Sequence, residues 1–164
     1  MLKIIPAKTS DSNHIAEIAK PIWREHYTPI IGADQVEYML KNFQSQLAVE
    51  KQMNEGYSYF IIQFDNSTAG YMSVQQRENT LFLSKFYLSN LYRGQGLARK
   101  MLDYIEALGC QLGCEIIELT VNKYNPAYHI YLKMGFVSIE SIQIDIGEGY
   151  IMDDYRMQKV LADN

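Results

Sequence analysis

Tyr92-Arg93-Gly94-Gln95-Gly96-Leu97-Ala98 is the stretch on which the fold turns. An apolar run, Leu81 to Leu88, precedes it, and an amphipathic segment continues to Leu112. The pattern predicts a strand, a loop of small residues, then a helix. That helix carries Leu97, Met101, Leu102, Ile105, Leu108 and Leu112 on one stripe and stops at Gly113. Such a loop exposes several backbone N–H groups, and the helix dipole adds partial positive charge, so the loop suits a phosphate or pyrophosphate. Gly-rich turns before helices are common. The reading sharpens downstream, at Asn125-Pro126-Ala127, Tyr131 and Gly135-Phe136.

Working outward, Met1 to Pro6 reads as a short strand without a signal-peptide pattern. Helical spacing of Ile15, Ile18, Ala19 and Ile22 predicts a helix over 10–27, after which Pro29 and Gly32 interrupt. Helices over 34–43 and 46–54 follow. Strands are expected at 57–64, 69–75 and 80–88, with Asp65-Asn66-Ser67 and Asn79 as turns. After the helix 95–112 come a strand over 115–121, a short helix over 127–134, and strands over 136–145 and 149–160 joined at Gly147-Glu148-Gly149. Consecutive strands with helical crossovers imply an α/β (α+β) mixed sheet with helices on its faces. The segment from 80 to 121 has the length of a right-handed crossover between parallel strands.

Composition bounds the function. A chain of 164 residues with 48% hydrophobic and 21% charged residues reads as one globular domain, 1–164. A net charge of −4 argues against nucleic acid as a partner. The absence of any apolar run of about 18 residues argues against a membrane span and leaves a cytoplasmic setting as the expectation. Cys110 and Cys114 have no second pair to complete a metal site, so no metal is expected and both read as buried thiols near a helix end. The 13 tyrosines suit half-buried strands, with some left to line a pocket.

Taken together, the two motifs resemble the GCN5-related N-acetyltransferase family. Its Arg/Gln-x-x-Gly-x-Gly/Ala signature reads here Arg93-Gly94-Gln95-Gly96-Leu97-Ala98. Its second signature reads Asn125-Pro126-Ala127, Tyr131 and Gly135-Phe136, with Asn125 and Tyr131 one residue closer than in the family's commonest form. The order of elements fits from residue 1 to 160. The resemblance implies the acyl-CoA N-acyltransferase fold, a mostly antiparallel sheet of six to seven strands, and acetyl-CoA as cofactor. It implies that Phe86, Tyr87 and Leu88 pair with the pantetheine arm, and that Gly94, Gln95, Gly96, Leu97 and Ala98 seat the pyrophosphate. Arg93 adds a charge there or lies on the surface. Asn125 and Tyr131 complete the cofactor set.

The same resemblance makes the Leu88 amide a one-donor oxyanion site. Tyr131 is the candidate general acid: a phenol with pKa near 10 keeps its proton at neutral pH and can give it to a departing thiolate. An alkyl amine acceptor is mostly protonated, and freeing its lone pair costs roughly 4–5 kcal/mol at pH 7. Glu25, His26, Asp145 and Glu148 are the candidate bases. His26 leads them because its loop borders the acceptor pocket in that family. His129, two residues from Tyr131, falls on another face and reads as structural.

The acceptor is less constrained. Asp145, Glu148, Asp153 and Asp154 on the last hairpin, with Glu37 and Glu50, would make a negative pocket for a cationic amine. With its helical insert around Ile31-Gly32-Ala33-Asp34-Gln35, the Phe64-Asp65 hairpin, the Ala69-Gly70-Tyr71 strand and the tail strand Gly149-Tyr150-Ile151-Met152-Asp153-Asp154, the layout is also distantly similar to bacterial spermidine/spermine acetyltransferases. A small amine or polyamine acceptor is therefore favoured. A protein α-amine or lysine, and a non-catalytic acyl-CoA-binding module, are the competing readings, and a homodimer is left open. A nucleotide-phosphate enzyme is a poor fourth reading, since the loop lacks the Lys-Ser/Thr ending of a P-loop and no acidic residue follows at the Rossmann spacing.

Overall fold

The computed structural model describes residues 1–161. In chain order the elements are β1 (Leu2–Pro6), α1 (Ser12–Ile31), α2 (Ala33–Phe43), α3 (Gln46–Asn54), β2 (Ser58–Phe64), β3 (Ser67–Arg77), β4 (Thr80–Leu88), α4 (Leu97–Gln111), β5 (Ile116–Asn122), α5 (Ala127–Lys133), β6 (Val137–Gly147) and β7 (Tyr150–Val160). Short 3₁₀ turns stand at Thr9–Asp11 and Asn90–Tyr92. The strands form one seven-stranded sheet in the order β1-β2-β3-β4-β5-β7-β6. It is mostly antiparallel, with β4 and β5 parallel at Thr80↔Ile116, Leu81↔Ile117 and Phe82↔Glu118. The expected fold class and element order are those observed. By contacts the chain divides into two compact units, Met1–Gln75 with Ser84–Leu102, and Gln76–Leu83 with the chain from Asp103 onward.

In the first unit, α1 runs 20 residues, past the boundary expected near Tyr27. Pro21 and Pro29 both lie inside it. A proline removes one N–H and crowds the carbonyl four residues back. Here Pro21 and Pro29 sit on the exposed side, where water takes the carbonyls that they leave. Gly32, at φ +85°, is the stop, with its N–H on the Thr28 carbonyl at 3.0 Å. Ser45 caps α3 by accepting from the Ala48 amide at 3.2 Å. The β2–β3 hairpin turns at Asp65-Asn66, both at positive φ (49° and 67°), the two-residue turn that suits strand twist. Ile15, Ala19, Ile22, Val36, Val49, Ile62 and Met72 are among the buried residues of this unit.

In the second unit, Ile117, Leu119 and Val121 of β5 are buried, as the alternation predicts, and Met157 of β7 pairs with Leu119. The α4 stripe departs from expectation at its end: Leu112 is exposed. Gly109 takes the inward position, since a Cβ there would come within 2.8 Å of Leu161 Cδ1. Cys114 is buried, whereas Cys110 is only half-buried, and both are free thiols. The β6–β7 hairpin turns through Gly147, Glu148 and Gly149, all at positive φ. Among the described residues, no helix is long and apolar enough to cross a membrane.

Candidate active site

Alternation along β4 sets the first part of the site. Leu81, Leu83 and Lys85 are buried on one face, and Tyr87 continues that face half-buried. Phe86 and Leu88, also half-buried, point the other way by the same period. The approach of β3 to this end is backbone to backbone: Ser89 N–H donates to the Ala69 carbonyl at 2.7 Å. A 3₁₀ turn then leads into the loop, with the Tyr92 and Arg93 amides bonded to the Ser89 and Asn90 carbonyls at 2.9 and 3.3 Å.

Gly94 and Gly96 stand at φ +76° and +78°, a region that most side chains avoid, and a Cβ at either position would meet nothing within 4 Å. Open space over two glycines, at the head of a 15-residue helix, fits a phosphate-bearing cofactor. Leu97 is buried and anchors α4, and Ala98 is half-buried behind it. Arg93 turns back, its Nε donating to the Leu88 carbonyl at 3.0 Å, so its guanidinium ties the loop to the end of β4. Gln95 is exposed, with only a long 3.5 Å contact to the Leu91 carbonyl.

His26 and Tyr27 lie within α1 rather than in the loop that the sequence implied, because that helix runs on to Ile31. Trp23, Tyr27, Tyr71 and Tyr87 form one aromatic cluster. Trp23 stacks on Tyr27 at 4.2 Å and meets Tyr87 edge-on at 5.5 Å, and Tyr71 lies 5.3 Å from Tyr87. His26 meets Tyr27 edge-on at 4.8 Å. The structure therefore brings His26, Tyr87, Leu88 and the Arg93–Ala98 loop into one unit.

Asn125 and Tyr131 belong to the other unit. Asn125 is buried, and its Oδ1 accepts from the Ala127 amide at 2.9 Å, which turns the chain into α5. Tyr131 is 9% exposed, with its ring edge-on to Phe136 at 5.6 Å. His129 is exposed beside Tyr128.

The acids expected to gather in one negative pocket have separate surroundings. Glu37 holds Arg24, whose Nη2 is 2.8 Å from Oε1, and Glu50 accepts from Ser12 and Gln46. Asp145 accepts from the Gly147 amide within the hairpin turn, and Glu148 and Glu25 are exposed. Asp153 Oδ1 is 2.8 Å from Lys123 Nζ, an ion pair. Asp154 is different: its side chain is buried, only 1% exposed. Burial first, and then the Asp153 charge, push its carboxyl up to about 6, with Thr120 and Lys123 tempering the rise.

Lys85 and Asp154 escaped the sequence reading as buried groups. The visible signal for Lys85 was its place on the leucine parity of β4. Asp154 had no such signal.

Residues 27–159 match the family model described as Acetyltransferase (GNAT) domain. No curated protein matches the sequence. The fold is similar to the PaiA N-acetyltransferase of Thermoplasma acidophilum in complex with coenzyme A: TM-score 0.81, 19% identity, 98% of this chain and 99% of that one covered. It is also similar to a chimera of the spermidine N-acetyltransferase SpeG from Vibrio cholerae and hSSAT, at TM-score 0.72, 17% identity and 98% and 95% coverage. A ribosomal-protein alanine N-acetyltransferase from Escherichia coli gives TM-score 0.71, 18% identity and 100% and 96% coverage. A glycine loop heading a helix, the second motif on α5 and a family match over residues 27–159 make this chain a member of the GNAT family, the acetyl-CoA-dependent N-acetyltransferases.

Proposed function

We propose that residues 1–164 work as one domain that moves an acetyl group to a primary amine by direct attack in a ternary complex, with a small amine or polyamine as acceptor. The observation that carries the transfer is the Arg93–Ala98 loop, with two glycines at positive φ under open space. Acetyl-CoA, when bound, supplies a thioester as acyl donor. Gly94, Gln95, Gly96, Leu97 and Ala98 hold the pyrophosphate through backbone amides, and Phe86, Tyr87 and Leu88 hold the pantetheine arm through theirs. Asn125 and Tyr131 complete the cofactor contacts. Leu88 N–H donates to the acyl oxygen, where negative charge grows. Tyr131 keeps its hydroxyl proton for the departing sulfur.

For the acceptor, the support is charge and aromatic surface. Tyr27, beside His26, and Tyr87, edge-on to Tyr27, are half-buried rings, and an ammonium is attracted to ring faces. His26 is the proposed base for the amine proton. Asp154 would add a buried carboxylate to the charge that draws a cationic acceptor. An alanine N-acetyltransferase among proteins of this fold keeps a peptide α-amine as the second reading.

The test is acetyl-CoA turnover, read as free thiol, against polyamines, aminoglycosides, amino acids and peptides. Spermidine should be acetylated, with intersecting rather than parallel double-reciprocal lines and a Michaelis constant that rises with salt. Turnover of a neutral peptide in preference to every polyamine would replace the small-amine reading with the peptide one.

A further inference from the structure

The least expected side chain in the first unit is Lys85. It is 4% exposed in the middle of the sheet, and all its partners are uncharged. Its Nζ donates to the Phe43 carbonyl at 2.6 Å, to Gln52 Oε1 at 2.9 Å and to the Tyr59 hydroxyl at 2.5 Å. The Tyr59 hydroxyl in turn donates to the same Gln52 oxygen. Three protons on one nitrogen thus meet three acceptors, from the last residue of α2, from α3 and from β2. A buried ammonium without a carboxylate is costly, and an apolar side chain would fill this space at less expense. Burial holds the lysine down to about 7.

What that cost secures is the C-terminal end of α2. Phe43 is followed by Gln44, itself buried, whose Oε1 accepts from the Tyr71 hydroxyl at 2.7 Å. The Tyr71 hydroxyl accepts from Trp23 Nε1–H at 3.2 Å, and the Tyr71 ring lies against Tyr87. An unbroken line of contacts therefore runs from Lys85 to both Trp23 and Tyr87.

We propose that Lys85 is a positioning residue: by tying the C-terminal end of α2 to β4, it sets the next residue, Gln44, against Tyr71 and so fixes Trp23 and Tyr87 as a rigid aromatic wall beside Leu88. The consequence for catalysis rests on the reading that this wall meets the acceptor; the coupling itself does not. The groups that titrate around the lysine are Tyr59 on β2, with Tyr57 and Tyr71 next to it. Phe43 and Gln52 offer neutral oxygens only. Near Trp23 the titratable neighbours are Tyr27, Tyr71, Tyr87 and, through Tyr27, His26.

Trp23 is the single tryptophan, so its fluorescence reads the far end of the line without any substrate. In the wild type the emission should change with an inflection near pH 7. Lys85→Met should abolish that inflection. Tyr59→Phe, which removes one acceptor, should move it to lower pH. His26→Asn should leave it in place. With turnover, Lys85→Met should raise the acceptor Michaelis constant about tenfold while that for acetyl-CoA stays within about twofold.

An inflection absent from the wild type, or kept in Lys85→Met, overturns the coupling. If Lys85→Met does not fold, Tyr59→Phe decides alone: an unmoved inflection overturns it. A changed emission with an unchanged acceptor constant would overturn the catalytic consequence and leave the coupling standing. Failure to find any amine acceptor would count against the proposed function instead, since the fluorescence arm needs none.

Discussion

A side chain at Gly70 would place its Cβ 2.1 Å from the carbonyl oxygen of Tyr87 and 3.0 Å from the Leu88 Cα. No real contact is that short, and both neighbours are backbone, so they cannot swing aside. Gly70 is thus the residue that lets β3 reach the end of β4, where the Ser89 amide meets the Ala69 carbonyl. Gly70→Ala should displace Tyr87 and Leu88, lower stability by about 1–3 kcal/mol and reduce turnover. Denaturant melts and initial rates on the same preparation check both. Wild-type rates in a folded Gly70→Ala would mean that the position of Leu88 does not matter.

Gly96→Asp tests the loop. Asp is among the side chains that tolerate a positive φ, and the space above Gly96 is open, so the fold should survive. A carboxylate there repels a pyrophosphate. Acetyl-CoA affinity should fall at least about tenfold, and the loss should shrink at high salt. Calorimetry with unchanged affinity would remove the loop from the cofactor seat.

Tyr131→Phe removes one hydroxyl from a ring that Phe136 already supports. Turnover should drop by about 10²-fold with little change in acetyl-CoA affinity. Parental turnover at every pH would exclude proton donation by Tyr131 from the rate-limiting step.

Asp154→Asn separates stability from function. The carboxyl titrates near 6 when folded against an ordinary 3.8. The folded state therefore holds its proton more tightly, and stability falls as pH rises through the window from about 4 to about 6. Above that window the cost is full, on the order of 3 kcal/mol. The amide carries no charge, so Asp154→Asn should be more stable than the wild type at pH 7 and equal to it near pH 3.5. Melts across pH 3–8 check the sign. If the carboxylate attracts the acceptor, the same variant should raise the polyamine Michaelis constant.

Much of this protein follows from local chemistry. The apolar run of β4, the two glycines after it and the stripe of α4 encode strand, loop and helix within one short segment, because hydrophobic period and φ preference are local properties. The second motif adds α5 in the same way. Helix ends were less legible. Pro29 looked like a stop, yet solvent beside an exposed turn satisfies the carbonyl that a proline leaves. Leu112 looked like core until Gly109 took its place against Leu161.

Only the tertiary structure decided which charges are buried. Lys85 and Asp154 are ordinary letters in a strand, and their cost appears once distant residues remove the water around them. For Lys85 those residues are Phe43, Gln52 and Tyr59, up to 42 positions away in the chain. The same holds for Trp23, Tyr71 and Tyr87, which no spacing rule joins, and for Gly70, whose small size matters only because another strand's carbonyl lies over it. Desolvation and close approach are properties of neighbours in space, which a pattern along the chain cannot carry.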